Sequence, residues 1–316
     1  MTVLLPNLMN LQEAAHCLKT DRLVVFPTET VYGLGANATS SMAVAQIFAL
    51  KQRPSFNPLI VHFSTLESTN SWVVWNKKVL KLAQAFWPGP LTLVLPKKKN
   101  SKISPLVSAG LDTVAIRVPH HPVAQELLQL AGCPVAAPSA NRSGLLSPTQ
   151  AMHVVQSLQA PELLIIDGGT CSVGLESTVV DVSQDIPVLL RPGGITLEKI
   201  QSVVGECEVL KNAPSEKVKS PGLLLKHYAP RIPIRINVHE VFPDEALLAF
   251  GPHSFLNLKK ELNLSFSKNL IEAASHLFEM LHALDQPEFS AIAVMPIPEV
   301  GLGIAINDRL RRASFR

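Results

Sequence analysis

The first two thirds of the chain alternate short apolar, β-branched runs with stretches in which apolar residues recur every three or four positions. The first pattern predicts strands and the second predicts helices. The predicted strands are Arg22–Pro27, Pro58–Phe63, Leu91–Pro96, Val114–Pro119, Pro134–Ala137, Leu163–Asp167, Thr178–Val182 and Val188–Leu190. The predicted helices are Leu11–Lys19, Met42–Leu50, Lys77–Phe86 and Pro122–Leu130. This alternation predicts one α/β domain around a twisted, mixed sheet that ends near Ile200.

A second, smaller domain is predicted beyond a segment without a clear period. Asn212–Pro230 holds three prolines, which is typical of a linker. The strands Ala246–Gly251 and Ala291–Pro296 and the helices Leu270–Leu284 and Ala305–Arg312 are predicted after it. We therefore expect a first domain at residues 1–205, a linker or lid at 206–232 and a small C-terminal α/β domain at 233–316.

The composition supports two folded domains and argues against several classes of protein. Hydrophobic residues make up 47% of the 316 residues, which is enough for a core in each domain. The formal net charge of +3 is a mild excess that does not indicate a DNA-binding protein. Aromatic residues, at 5%, are too few for a platform that stacks single-stranded nucleic acid. The four cysteines form no C-x-x-C pair, so the usual zinc and thioredoxin motifs are absent.

The N-terminal residues and the apolar runs give an expectation about the compartment. Residues 1–10 lack a basic region followed by a long apolar core, as a secretory signal would have. No apolar run approaches the roughly 18 residues that span a bilayer. We expect a cytoplasmic protein with reduced thiols and no membrane partner.

Polar residues collect where the predicted strands end. In Pro27–Gly35, two glycines would let the backbone approach a ligand closely, although an ordinary glycine turn explains this segment equally well. Lys51 and Arg53 can point the same way at phosphate oxygens, with a solvated basic loop as the alternative. His62 lies within an apolar strand, where a satisfied core histidine is more common than a ligand contact.

Four further segments also bring polar residues or glycines next to predicted strands. Val135–Gly144 brings small hydroxyl and amide side chains to the end of a strand, where they can bind phosphate and sugar or form a capped turn. Asp167–Gly169, Glu176–Asp181 and Leu190–Gly194 each join a strand to glycines or a charged group. Arg117 lies inside an apolar run, and a buried arginine needs an anionic partner such as a substrate carboxylate.

Several familiar motifs are missing, and some basic residues have simpler explanations. The sequence has no G-x-x-x-x-G-K-[ST] loop and no G-x-G-x-x-G fingerprint, so a nucleotide would need another architecture. No Ser-His-Asp or Cys-His set indicates a nucleophile. Lys97–Lys99 predicts a solvated loop that could also touch RNA phosphates. Arg309, Arg311 and Arg312 predict an exposed helix end, and Ser147-Pro148 predicts a helix start.

Taken together, these segments resemble the YrdC-type threonylcarbamoyl-AMP synthase family in its long, two-domain form. The matching segments are Pro27–Gly35, Lys51–Pro54, Asn57–His62, Phe86–Leu95, Ala115–Pro119, Ala137–Asn141, Ser177–Val182 and Arg191–Ile195. The family's K-x-R and S-x-N motifs are met by Lys51, Arg53, Ser139 and Asn141. Ser220–Pro230 and Gly301–Arg309 resemble segments of the long members.

The resemblance implies a twisted YrdC-type sheet with a concave, basic cavity and a Rossmann-like C-terminal domain. It also implies that L-threonine, bicarbonate and ATP react to give threonylcarbamoyl-AMP and pyrophosphate, with Mg²⁺ on the leaving pyrophosphate. The product would reach tRNA, as N6-threonylcarbamoyladenosine, through separate threonylcarbamoyl-transfer proteins. Direct contact with tRNA stays open.

The resemblance also assigns residues. Those implied for threonine are Thr30, His62, Arg117, Ala137 and Ser177, with Arg117 on the carboxylate. Those implied for ATP are Lys51, Arg53, Asn57, Thr113, Ser139, Asn141, Ser147, Arg191 and Tyr228. Lys51 and Arg53 would be the catalytic pair, because they neutralise developing phosphate charge. No metal ligand and no general base are implied.

Two rival interpretations share parts of this pattern. A double-stranded RNA- or tRNA-binding module without catalysis could hold backbone phosphates in the same basic cavity. A related domain occurs in a carbamoyl-transferring hydrogenase-maturation protein. That protein would also carry zinc-finger cysteine pairs and an acylphosphatase segment, and this sequence has neither.

Overall fold

The computed structural model describes residues 1–210 and 227–315, which form two α/β domains. The strands of the first domain are β1 (Thr2–Leu4), β2 (Val24–Phe26), β3 (Gly33–Asn37), β4 (Ile60–His62), β5 (Leu91–Pro96), β6 (Thr113–Arg117), β7 (Val135–Ala136), β8 (Leu164–Ile166), β9 (Thr178–Asp181), β10 (Val188–Arg191) and β11 (Glu208–Val209). Its α-helices are α1 (Leu8–Lys19), α2 (Ser41–Lys51), α3 (Lys77–Phe86), α4 (Pro122–Ala131), α5 (Ala151–Ser157) and α6 (Leu197–Val204).

The strands of the first domain form one mixed sheet in the order β1-β8-β2-β3-β7-β4-β6-β5-β9-β10-β11. The central pair β4 and β6 is parallel, whereas β5 and β7 run antiparallel to their neighbours β6 and β4. The expected α/β fold with a large twisted, mixed sheet is therefore confirmed.

Side chains of the central strands alternate between the two faces of the sheet, so that one face packs in a large core and the other carries a smaller apolar cluster. Val61, Val114 and Ile116 belong to the main core, which the helices complete. Their neighbours Ile60 and Ala115 point to the opposite face, because side chains alternate along a strand. There they form a small buried cluster with Val94, Val179 and Leu190. This face also carries the polar residues at the strand ends.

The second domain has a parallel sheet. Its strands are β12 (Ile234–Ile236), β13 (Ala246–Ala249), β14 (Glu261–Asn263) and β15 (Ile292–Val294), in the order β12-β15-β13-β14. Its helices are α7 (Leu270–Leu284) and α8 (Leu302–Ser314). All three strand pairings are parallel, as α/β connections require. No helix within residues 1–210 and 227–315 is long and apolar enough to cross a membrane.

The two domains share an apolar interface. Val31, Leu146 and Leu175 of the first domain belong to the same buried cluster as the apolar side chains of the second domain. A Cβ atom on Gly174 would lie 2.4 Å from the Ser275 carbonyl oxygen, so glycine allows the backbones to touch here. The domain boundaries predicted above stay predictions.

The alternative of an ordinary glycine turn in Pro27–Gly35 does not hold for its last residues, which belong to strand β3, and a Cβ on Gly35 would lie 2.8 Å from the Phe26 ring. Two sequence predictions about structure were wrong. Ser147-Pro148 does not start a helix, because α5 begins at Ala151 and Ser147 donates to a carboxylate instead. Arg309 is not at an exposed helix end, since its exposed fraction is 0%. Strands β1, β11, β12 and β14 were also not predicted.

Candidate active site

A cavity opens at the strand ends of the first domain. In the parallel pair β4 and β6, His62 lies directly opposite Arg117, so the sheet register itself brings these two side chains together. The residues that line the cavity are Thr28, Thr30, Val31, Gly33, Arg53, Ile60, His62, Arg117, Ala137, Pro138, Ser139, Glu176, Ser177, Arg191, His227 and Tyr228.

All five residues expected to bind threonine line this cavity, and Arg117 is central among them. Its Nη1 donates to Thr30 Oγ1 at 2.9 Å, and its Nε donates to the Gly89 carbonyl at 3.2 Å. Its Nη2 lies 2.6 Å from the carboxylate of Glu29, and both side chains are buried. The guanidinium is therefore fixed in one orientation at the end of its strand.

His62 is held in the neutral form beside Arg117. Burial, and then the positive charge of Arg117, lower the pKa of His62 to about 3. Its Nδ1 atom is buried and has no hydrogen-bond partner among the described residues. A buried ring nitrogen of this kind suits a ligand that supplies a hydrogen bond.

Ser177 connects the threonine residues to those expected for ATP. Its hydroxyl shares a 2.7 Å hydrogen bond with Thr92, and Arg191 Nη2 donates to it at 3.2 Å. The same Arg191 nitrogen donates to the Ser177 carbonyl at 2.9 Å. Strands β9 and β10 pair antiparallel, so Ser177, which precedes β9, lies beside Arg191 at the end of β10.

Four of the residues expected for ATP line the cavity: Arg53, Ser139, Arg191 and Tyr228. Arg53 donates from Nη2 to the Pro58 carbonyl at 2.9 Å and from Nε to the Asn57 carbonyl at 3.2 Å. Burial lowers the pKa of Arg53 to about 10, so the guanidinium stays charged at neutral pH. The alternative of a solvated basic loop is therefore wrong for Arg53.

Lys51 is buried next to the cavity and not in its lining. Its Nζ donates to the Ser139 carbonyl at 2.6 Å and also to the Asn141 carbonyl. Burial, and then the charge of Arg53, lower the pKa of Lys51 well below its ordinary value. Lys51 thus supports the backbone that carries Ser139.

The other residues expected for ATP, which are Asn57, Thr113, Asn141 and Ser147, are not part of the cavity lining. Both side-chain polar atoms of Asn57 are buried without a partner among the described residues, and so is Oδ1 of Asn141. The Ser147 hydroxyl donates to Glu176. Thr113 lies at the other end of β6, about 13 Å from Arg117 on the same strand face.

Comparison with known proteins identifies the relatives of this chain. Residues 16–193 match the family model described as telomere recombination, and residues 195–314 match the threonylcarbamoyl-AMP synthase C-terminal domain. The chain is 41% identical to threonylcarbamoyl-AMP synthase of Bacillus subtilis over 96% of this chain and 92% of that one. It is also 41% identical to the Pyrococcus abyssi enzyme of that name, over 95% and 93%. The chain belongs to the threonylcarbamoyl-AMP synthase family.

Solved structures of this family agree with the assignment. The Pyrococcus abyssi Sua5 structure in complex with L-threonine matches with a TM-score of 0.87 and 38% identity, over 96% of this chain and 94% of that chain. A Pyrococcus abyssi Sua5 variant with an adjacent histidine and tyrosine changed to alanine matches with a TM-score of 0.86. HypF is only 17% identical and shares the fold alone.

Sequence reasoning missed several side chains of this threonylcarbamoyl-AMP synthase site. Glu29 pairs with Arg117, Glu176 lines the cavity beside Ser177, and His227 lines it beside Tyr228. Burial, and then nearby cations including Arg53, lower the pKa of His227 well below its ordinary value. The signal for Glu29 was its position inside the family segment Pro27–Gly35, and Glu176 immediately precedes the segment Ser177–Val182. A buried carboxylate in such a place needs a cation.

Proposed function

We propose that this chain forms threonylcarbamoyl-AMP from L-threonine, bicarbonate and ATP, and releases pyrophosphate. The observation that carries the proposal is one cavity in which Arg117, suited to a carboxylate, lies close to Arg53 and Arg191, suited to phosphates. The family uses ATP as a substrate, and the Pyrococcus abyssi relative binds L-threonine.

Threonine would bind at the ends of β4 and β6. The guanidinium of Arg117 would take the carboxylate, while the Ser177 and Thr30 hydroxyls accept or donate to the polar groups of the amino acid. The neutral His62 can accept a hydrogen bond at Nδ1. The backbone at Ala137 closes this side, because its amide already donates to the Ile60 carbonyl at 2.9 Å.

ATP would extend from these residues toward the Ser139–Asn141 loop. Arg53 and Arg191 would neutralise the phosphates, and Lys51 would hold the loop that carries Ser139 in place. The small side chains of Ser139, Asn141 and Ser147 would hydrogen-bond phosphate or sugar. Asn57 and Thr113 would contact the nucleotide farther along the sheet.

The reaction is then mainly positioning and charge neutralisation. The amine of threonine attacks the carbon of bicarbonate, water leaves, and a carbamate forms. An oxygen of this carbamate attacks the α-phosphorus of ATP, and pyrophosphate departs with the displaced electron pair. Because both the carbamate and the mixed anhydride are labile, the cavity must exclude water.

Magnesium would arrive as part of the ATP complex. Among residues 1–210 and 227–315, no group of three His, Cys, Asp or Glu side chains could hold a metal ion. The two carboxylates beside the cavity, Glu29 and Glu176, are each bound to an arginine. These residues do not fit a resident metal site, so Mg²⁺ would enter with the triphosphate and leave with pyrophosphate.

The linker would close the cavity as a lid. Of the segment at 206–232, residues 211–226 lie outside the described residues. Tyr228 is buried, lines the cavity and has a φ angle of 63°, which is rare for a tyrosine and typical of functional sites. Its neighbour Ala229 donates to the Gly144 carbonyl at 2.8 Å.

Threonylcarbamoyl-transfer proteins would take the product onward to tRNA.

The test is amino-acid-dependent release of pyrophosphate. The protein is incubated with ATP and bicarbonate, with each amino acid in turn and with none. Pyrophosphate should appear with threonine, and serine should react less well because an apolar wall senses a missing methyl group by ~1–3 kcal/mol. Equal release without any amino acid would exclude the synthase function and leave nucleotide or RNA binding as the alternative.

A further inference from the structure

Arg309 reaches from the second domain into the wall of the first domain's cavity. It lies on α8 with an exposed fraction of 0%. Its Nε is 2.8 Å from Oε2 of Glu176, and its Nη2 donates to the Pro192 carbonyl at 2.9 Å. Removing a guanidinium from water is costly, so a buried arginine at a domain boundary calls for an electrostatic reason as well as packing.

Glu176 supplies that reason. Its carboxylate lines the cavity, and the Ser147 hydroxyl donates to the oxygen that Arg309 does not contact. Burial alone would raise the pKa of Glu176, but the charges of Arg309 and then Arg191 outweigh burial and lower it. Glu176 is therefore ionised at neutral pH. An ionised carboxylate beside a triphosphate repels it unless a cation neutralises the carboxylate.

The arrangement around Arg309 is a row of alternating charges. Arg309 Nη1 lies 2.6 Å from Asp308, and Asp308 lies 3.0 Å from Nε of Arg312. Glu176, Arg309, Asp308 and Arg312 together carry no net charge. Loss of the arginine that contacts both carboxylates would leave the buried Glu176 without its nearest cation.

Arg309 also contacts the proposed lid. Its guanidinium carbon lies 5.1 Å from the centre of the Tyr228 ring, within the range of a cation–π interaction. Phe278 of the second domain packs against the same ring with centroids 5.6 Å apart. One side chain of the second domain thus fixes both a carboxylate and an aromatic ring of the cavity wall.

We propose that Arg309 is a positioning residue that neutralises Glu176 and thereby lets the first domain bind ATP. The inference rests on the proposed nucleotide site. It gives the second domain a role in the reaction, because Arg309 supplies the cation that offsets the negative charge of Glu176 in the cavity wall and so allows phosphates to bind.

The test measures ATP binding by calorimetry, so it does not depend on turnover. Arg309→Met should weaken ATP binding at least ~10-fold. Glu176→Gln in the Arg309→Met background should restore most of this loss, because it removes the charge that Arg309 neutralised. Arg311→Met serves as a matched control, since Arg311 lies on the same helix in an exposed pair with Glu299. This control should bind ATP as the unmodified protein does.

The outcomes separate charge neutralisation from packing. Unchanged ATP affinity in Arg309→Met, or a double variant no better than Arg309→Met alone, would overturn the proposal. If Arg309→Met does not fold, the ATP affinity of the single variant Glu176→Gln tests the proposal. It should bind ATP at least as tightly as the unmodified protein, and a loss above about threefold would overturn the proposal. ATP binding without any threonine-dependent product would count against the proposed function and leave the Arg309 test intact.

Discussion

Glu29 and Arg117 form a buried ion pair, with 2.6 Å between the carboxylate oxygen Oε1 and the guanidinium nitrogen Nη2. The pair spans two strand ends, because Glu29 follows β2 and Arg117 ends β6. Thr30 accepts from the same guanidinium at 2.9 Å. The carboxylate and the hydroxyl together orient the arginine that we propose binds the threonine carboxylate.

Changing Arg117 to lysine should therefore impair threonine binding specifically. Lysine keeps the charge that Glu29 needs but loses the planar fork, so the KM for threonine should rise at least ~10-fold, with the KM for ATP nearly unchanged. Steady-state kinetics with each substrate varied in turn measures this. Arg142→Lys, at an exposed position, should change neither value. An equal rise in both KM values would instead indicate general damage to the cavity.

Lys51 and Arg53 should both be needed for turnover, for different reasons. Arg53→Ala removes a charge from the cavity lining and should lower kcat on the order of 10²–10³. Lys51→Ala should lower kcat as well, and it should also lower the melting temperature, because the Ser139 and Asn141 carbonyls lose their buried donor. Arg142→Ala, in the neighbouring exposed position, is the control for both. A normal rate at saturating ATP would contradict the assignment.

Acid should loosen the contact between the domains. The rings of His153 and His282 stack with centroids 3.9 Å apart across the interface. Burial, and then His282, lower the pKa of His153 to about 3, and burial lowers the pKa of His282. The unfolded chain binds these protons near pH 6.5, before the folded chain does, so stability should fall as the pH drops from about 6.5 toward 3.

The variant His282→Gln tests this pH dependence. Its amide can still donate to the Ser147 carbonyl, which His282 Nε2 contacts at 3.1 Å. Asp285 and Arg231, which also act on His282, stay in place. The fall in melting temperature between pH 7.5 and pH 5.5 should be smaller in the variant by about 2 °C or more. An identical fall in both proteins would show that this pair does not sense pH.

Removal of the lid and the second domain should leave a folded first domain with little activity. A chain that ends after Asn212 keeps its main core but exposes Val31, Leu146 and Leu175. It should consume ATP with a low yield of threonylcarbamoyl-AMP, because water reaches the labile intermediates. Tyr228→Ala should cause part of the same loss, whereas Tyr228→Phe should retain the ring contacts. Full rate and yield in the truncated chain would contradict the lid.

The fold was predictable where apolar residues recur in the sequence with a clear period or form one clear run. Helices α3 and α7 and strand β5 have the bounds that their sequence patterns predict, because each carries one clear apolar face or run. Strand β3 was missed because its two glycines look like a turn, although contact with Phe26 requires the glycine at position 35. Strands β1 and β14 are short edges with exposed or polar residues, so their sequences carry little apolar signal.

The candidate site was only partly predictable. Motif spacing indicated the residues of the first domain, and the register of β4 and β6 then explains why His62 and Arg117 meet. Arg309 could not be predicted, because its partner Glu176 lies more than a hundred residues away in another domain. Its position in a basic helix end resembles that of a solvated cation, and only the docking of the domains buries it.

The most direct measurement is the fate of labelled bicarbonate. The protein is incubated with ATP, threonine and ¹⁴C-bicarbonate, and the nucleotide product is separated and counted against the pyrophosphate released. We expect one labelled carbon in an AMP-linked product for each pyrophosphate, and no label when threonine is left out. Pyrophosphate release without label in a nucleotide product would contradict it.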